Sequence, residues 1–289
     1  MKLKQIQIMS YIIAFLGFIA AFIGVLAFGE YEDVLFITIH GEVVSLYNMG
    51  IYANDTISVA IQAIAQDFVT LIIAIPLLIY STYKLKTKSV RFTLLHLGMV
   101  GYFLYSYGTY SFLSHFNALF LVYVIIFSMS FFTFILAIMR LDVEKVKLAF
   151  KDNFSKKLVV IFLLFTGFML LVMWLGRIGP ALINDQVPVG LESYSTLVIQ
   201  VFDLAFIVPL SFLSAYLLAN NNAWGYLLSA ILLLKGIALF TAVSAMGIMQ
   251  LLLDEGGNII EIGIFIGLTL ISFLVIYKFI TGIKKQALI

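Results

Sequence analysis

Asp67, Asp203 and Lys235 each fall inside a long apolar run, where a charged side chain costs about 2.5–3.5 kcal/mol at the centre of a membrane-spanning helix. A group placed there needs a partner, a wet cavity or a use. Amides accompany both aspartates: Gln62 and Gln66 precede Asp67, and Gln200 precedes Asp203. At 3.6 residues per turn, Gln62, Gln66, Asp67 and Thr70 cover an arc of about 140°, and Gln200, Asp203, Ser211 and Ser214 about 80°. Each run therefore carries one polar stripe, which belongs in the interior of a bundle because lipid offers it no hydrogen-bond partner. Counted at 1.5 Å per residue from the ends of their runs, Asp203, Asp67 and Lys235 lie roughly 10, 13 and 16 Å below one membrane boundary. A lysine stem spans such differences.

Two kinds of chemistry fit these groups. One is a closed ion pair between Lys235 and either aspartate, with the amides bonding between helices. The other is a hydrated site that binds a small polar solute or relays a proton or cation; two acids and one base leave a carboxylate over, which favours the latter. Tyr102 and Tyr105 share an arc of about 100° with Ser106 and Thr109 and are too deep for an interfacial belt, whereas Tyr107, Tyr110 and Phe112 read as that belt. The candidate ligand-binding set is Gln62, Gln66, Asp67, Tyr102, Tyr105, Gln200, Asp203 and Lys235.

Other chemistry is excluded. The chain has no cysteine, and His40, His96 and His115 lack zinc-helix spacing or the facing depth of a bis-histidine haem. No HExxH, GxSxG, Walker A or dinucleotide fingerprint occurs, so no cofactor, metal or catalytic residue is expected. An intramembrane enzyme is the weakest reading, since no nucleophile is placed. A net charge of +2 gives no reason to expect nucleic acid as a partner.

The elements that position these residues follow from composition. With 63% hydrophobic and 11% charged residues over 289 positions, the chain is far from a soluble domain and reads as an all-α polytopic membrane protein, a single transmembrane domain over 1–289 whose partner is the lipid bilayer. Eight spans are predicted, at about 8–28, 58–81, 92–112, 118–139, 158–176, 196–219, 226–253 and 258–280. The first has no small-residue cleavage site after it and reads as a retained helix. Fifteen of the 17 cations fall before span 1, between spans 2 and 3, between spans 4 and 5, or at the end of the chain. The positive-inside rule makes that side, with both termini, cytoplasmic. Arg177, in an outer loop, and Lys235, within span 7, are the exceptions.

Two outer segments are more than connections. In 29–57, β-branched and aromatic runs meet at His40-Gly41, which predicts a β-hairpin with Gly41 supplying the positive φ of a two-residue turn. In 177–195, Gly179-Pro180 and Val187-Pro188-Val189-Gly190 are turn signals, so a structured cap is expected over the outer face. The cytoplasmic loop 140–157 interleaves apolar and basic residues and predicts a short helix on the anionic inner leaflet.

Spans 1 and 5 are featureless and apolar, while spans 2 and 6 each carry an amide and an aspartate and run into a proline, Pro76 or Pro209. This outline suggests a 4+4 duplication with its axis along the membrane normal. Gln62 to Thr70 with Pro76-Leu77-Leu78, Gly101-Tyr102-Phe103-Leu104-Tyr105, Asp203 with Pro209-Leu210, and Trp224-Gly225-Tyr226 leading to Leu234-Lys235-Gly236 resemble a group of bacterial multi-span membrane proteins with no assigned activity. The resemblance implies a bacterial plasma-membrane location and supplies no substrate. The expected function is binding or transport of a small polar solute or cation through a polar cavity between spans 2, 3, 6 and 7; the alternative is a non-transporting subunit or sensor whose outer cap receives a ligand or partner.

Overall fold

The computed structural model describes residues 3–32, 34–253, 259–285 and 287–288. In apolar surroundings a backbone must satisfy its own hydrogen bonds, and the long apolar runs do so as helices. These are α1 (Leu3–Leu26), α2 (Ile57–Thr87), α3 (Val90–Leu113), α4 (Phe120–Ile138), the short α5 (Val143–Leu148), α6 (Lys156–Asn184), α7 (Val198–Ala219), α8 (Ala223–Leu252) and α9 (Ile259–Gly282). Seven of them, all but α3 and α5, are long and apolar enough to cross a membrane, so the chain is an all-α polytopic membrane protein. The tyrosines, serines and glycines of α3 lower its hydropathy below that of the others, and over half of its residues are buried.

α1 to α4 form one bundle, in which α1 packs on α2 and α4, and α3 on the same two helices. α8 is the central helix of the molecule and packs against α2, α3, α7 and α9. Its contact with α3 is close because Gly98 has no side chain; a Cβ there would lie 2.5 Å from the Leu234 Cβ. α6 packs along α7, but α6 and α9 touch at few points. The tail end of the bundle is closed by α5, whose Val146, with Ala149 and Phe150, turns inward against α8 and α9 instead of lying free on a lipid surface. Lys151 and Ala149 hydrogen-bond the Gly282 and Lys284 backbone, which ties the end of α9 to this plug.

At the opposite end β1 (Val34–Ile37) pairs antiparallel with β2 (Val43–Leu46). The loop differs from expectation: Thr38 N–H bonds the Glu42 carbonyl at 2.8 Å, leaving three residues, Ile39 to Gly41, in the turn, with Gly41 at φ 80°. That is the three-residue loop closed by a left-handed glycine. The hairpin is anchored by buried Tyr47, which donates to the Ala27 carbonyl at 2.8 Å and stacks on Tyr31.

Two helices depart from plain α geometry beside the charged residues. α2 widens into a π turn over Thr70–Ala74 and α7 over Asp203–Ile207, and both continue past their prolines, as the spans 58–81 and 196–219 require. Proline lacks an N–H and its ring crowds the preceding turn, and a wider turn accommodates this without breaking the helix. α6 is longer than predicted, running through Gly179-Pro180 to Asn184, where Asp185 turns left-handed at φ 52°. Pro180 is exposed there, and so is Gly176, whose carbonyl it leaves without its helical partner.

Candidate functional site

The two aspartates occupy different surroundings. Asp67 on α2 is only 2% exposed and accepts hydrogen bonds from Tyr52 at 2.5 Å and Tyr110 at 3.0 Å. Tyr52 belongs to the cap; burial, and then the Asp67 carboxylate, push its hydroxyl well above its ordinary value, so it remains a donor. Tyr107, Tyr110 and Tyr123 stack around this carboxylate, so Tyr107 and Tyr110 are core residues and not the interfacial belt their position suggested. The polarity of their hydroxyls marked them for an interface, but both find partners inside, Tyr110 on the Asp67 carboxylate and Tyr107 on the Gly17 carbonyl. Gly24 on α1 makes room: a Cβ there would meet the carboxylate of Asp67 and, at 2.8 Å, the Tyr52 hydroxyl. Tyr102, fully buried, shares a 2.7 Å hydrogen bond with Thr70.

Asp203, at the start of the π turn in α7, accepts from the Tyr105 hydroxyl at 2.7 Å and from the Trp174 indole N–H at 2.9 Å. Lys235 on α8 lays its Nζ over the Tyr105 ring, 3.7 Å from the centroid, and is 5% exposed. Among the described residues no carboxylate comes within salt-bridge distance of Lys235, so the closed ion pair, one of the two readings of these charges, is not formed. A lysine, a tyrosine, an aspartate and a tryptophan from four helices thus form one chain of contacts, with the ammonium resting on a π face.

This chain forms part of the wall of a cavity of about 510 Å³, within the usual range for small-molecule sites. Gln62 and Gln66 of α2, Tyr105 and Thr109 of α3, Asp203 of α7 and Lys235 of α8 form a polar wall. α6, α9 and the next turns of α8 form an apolar one that includes Met169, Met173, Phe240 and Phe265. Toward the hairpin end the cavity reaches Ser58, Arg177, Val189 and Glu192. Arg177 is not in a loop as predicted; it lies on α6 with its guanidinium over Trp174.

The rim is held by cap contacts. Asp55, 1% exposed, accepts from the His115 backbone N–H at 2.9 Å and from the Tyr194 hydroxyl at 3.0 Å, joining three loops. Thr56 donates to Glu192, and His115 meets Ser193 at 3.0 Å. Burial raises both the Asp55 and Glu192 carboxyls above their ordinary values, while these hydrogen bonds oppose the shift.

Of the sequence-predicted residues, Gln62, Gln66, Tyr105, Asp203 and Lys235 line the cavity. Asp67 and Tyr102 lie in the tyrosine cluster behind it, and Gln200 is buried on α7 without lining it. Trp174, Thr166 and Arg177 were missed because α6 reads as featureless and apolar. Helical spacing from Phe162 through Thr166, Met169, Met173 and Arg177 was the available signal. No protein-family model, no curated protein and no solved structure matches the chain.

Proposed function

We propose that this is a protein of the bacterial plasma membrane that binds a small solute in the cavity between α2, α3, α6, α7, α8 and α9 and passes it across the bilayer. The observation that carries the reading is Lys235: a buried ammonium on a cavity wall, with no carboxylate bridging it. A charge retained in that position without an ion-pair partner is explained by a ligand. Transport, as opposed to binding alone, is supported by the π turns of α2 and α7, since a widened turn beside a site is a local irregularity at which a continuous helix can shift. The test is reconstitution into vesicles and a flux screen of small labelled solutes; the solute that is carried should lose its flux in Lys235→Gln, and no transport of any class would end the transport reading.

In this reading α3 is the eighth span, its length and central position supporting it, and both termini are cytoplasmic because fifteen of the 17 cations fall in the sequence segments that the positive-inside rule assigns to that side. A parallel 4+4 duplication is supported by the π turns, each of which starts six residues before its proline, and by the shared packing order of α1–α4 and α6–α9. One observation favours the second reading, a sensor. Tyr52 connects the cap directly to Asp67 within the bundle, so a partner on the cap would act on a buried carboxylate without any solute passing.

A further inference from the structure

We infer that the occupant of the cavity is a single-chain anionic amphiphile, with its carboxylate or phosphate head on Lys235 and its chain along the α6–α9 wall. This rests on the cavity being a binding site and adds what it takes. The sequence alone pointed to a cation, because acids outnumber the base; the structure removes both acids from that role. Asp67 is sealed behind the cavity by Tyr52 and Tyr110. Asp203 lines it, but Tyr105 and Trp174 already donate to one oxygen each. Glu192 at the rim accepts from Thr56.

The cations are in the opposite condition. Lys235 Nζ donates to no acceptor among the described residues; it rests on the Tyr105 ring and feels the Asp203 carboxylate beyond salt-bridge distance. Arg177 likewise meets the Trp174 ring and no acceptor among them. An entering ligand therefore finds carboxylates already accepting and two cations whose N–H groups are free, which suits an anion. The other wall sets the remainder of the ligand. Met169, Leu170, Met173, Phe240, Val243 and Phe265 are apolar, and Thr166, the hydroxyl among them, already donates to the Phe162 carbonyl, which leaves a surface for methylenes. α6 and α9, which carry much of that wall, meet at few points, so a chain from the bilayer has a lateral way in.

The chain holds two tryptophans, and only Trp174 lines the cavity. In Trp224→Phe protein reconstituted into vesicles, Trp174 fluorescence reports occupancy. A long-chain fatty acid brominated on its chain should quench it saturably. Unbrominated fatty acid, or the corresponding alkyl phosphate if the head is a phosphate, should reverse the quenching, and the fatty-acid methyl ester should not. Lys235→Gln should weaken the interaction about tenfold, the scale of a charge-assisted hydrogen bond. Arg177→Gln, at the accessible rim, gives a second reading if Lys235→Gln does not fold.

Saturable quenching equal for acid and ester, and unchanged in both variants, would overturn the anionic head. Quenching that no unbrominated competitor reverses would overturn the amphiphile while leaving the cavity in place, provided that acrylamide, a small polar quencher, reaches Trp174. If acrylamide cannot reach Trp174 either, the binding cavity itself fails, and the inference with it.

Discussion

At the scale of single residues, the two aspartates and the lysine show how similar side chains at similar depth take different roles. Asp67 is fixed by two phenols and by the missing side chain of Gly24. Gly24→Ala should therefore destabilise the protein by at least about 1–3 kcal/mol, the scale of overpacking, in thermal unfolding in nanodiscs; Asp67→Ala in the same chain should recover part of the loss by removing the obstructing carboxylate. Lys235 gives the opposite expectation. Removing one member of a buried ion pair costs about 3–5 kcal/mol because a charge is left behind, but here Asp203 keeps Tyr105 and Trp174. Lys235→Met should change stability by only about 1 kcal/mol, and its effect should add to that of Asp203→Asn. Strong coupling in that cycle would mean that the two side chains pair after all. The sequence displayed which residues carry charge and which helical face they share; it could not display who bonds whom, because Asp67 takes one partner, Tyr52, from a loop and Asp203 takes one, Trp174, from a span with no polar stripe.

At the scale of elements, the hairpin was legible because its β-branched runs meet at a glycine, and the helices because the apolar runs match bilayer length. The π turns were not, although Pro76 and Pro209 marked their places. A π turn is one extra residue in a helix, and removing it rotates everything before it by about 100°. Deletion of Ile72, which is 70% exposed, should rotate Asp67 away from Tyr52 and Tyr110 and lower the unfolding temperature by many degrees, whereas Ile72→Ala should stay within about 0.5 kcal/mol of the parent. Equal behaviour of the two would show that the widened turn positions nothing. The cavity face of α6 escaped detection for a different reason: hydropathy separates apolar from polar, and a cavity wall of methionine and phenylalanine reads like one that faces lipid tails.

At the scale of the whole molecule, the cap should respond to pH. Burial raises the Asp55 and Glu192 carboxyls in the folded cap, so the folded form holds protons that the unfolded form releases. The associated stability is complete below the ordinary values of 3.8 and 4.5 and is lost as pH rises through the higher folded values. Once corrected for the pH dependence of intrinsic exchange, protection of the Asn48 and Asp55 amides should fall over that range, and Asp55→Asn should flatten the fall. Orientation is tested by single cysteines in this cysteine-free chain: one at Thr87 should react from the cytoplasmic side and one at Asn184 from the outside, and the reverse would invert the bundle. The uneven packing of the two halves has a practical consequence. α1 and α4 close their bundle with protein, while the space between α6 and α9 is closed by whatever amphiphile is at hand. On extraction from the membrane that will be the detergent. Its tail length and head charge would then act as a first ligand series, with anionic detergents expected to hold the second half together where neutral ones of equal length do not.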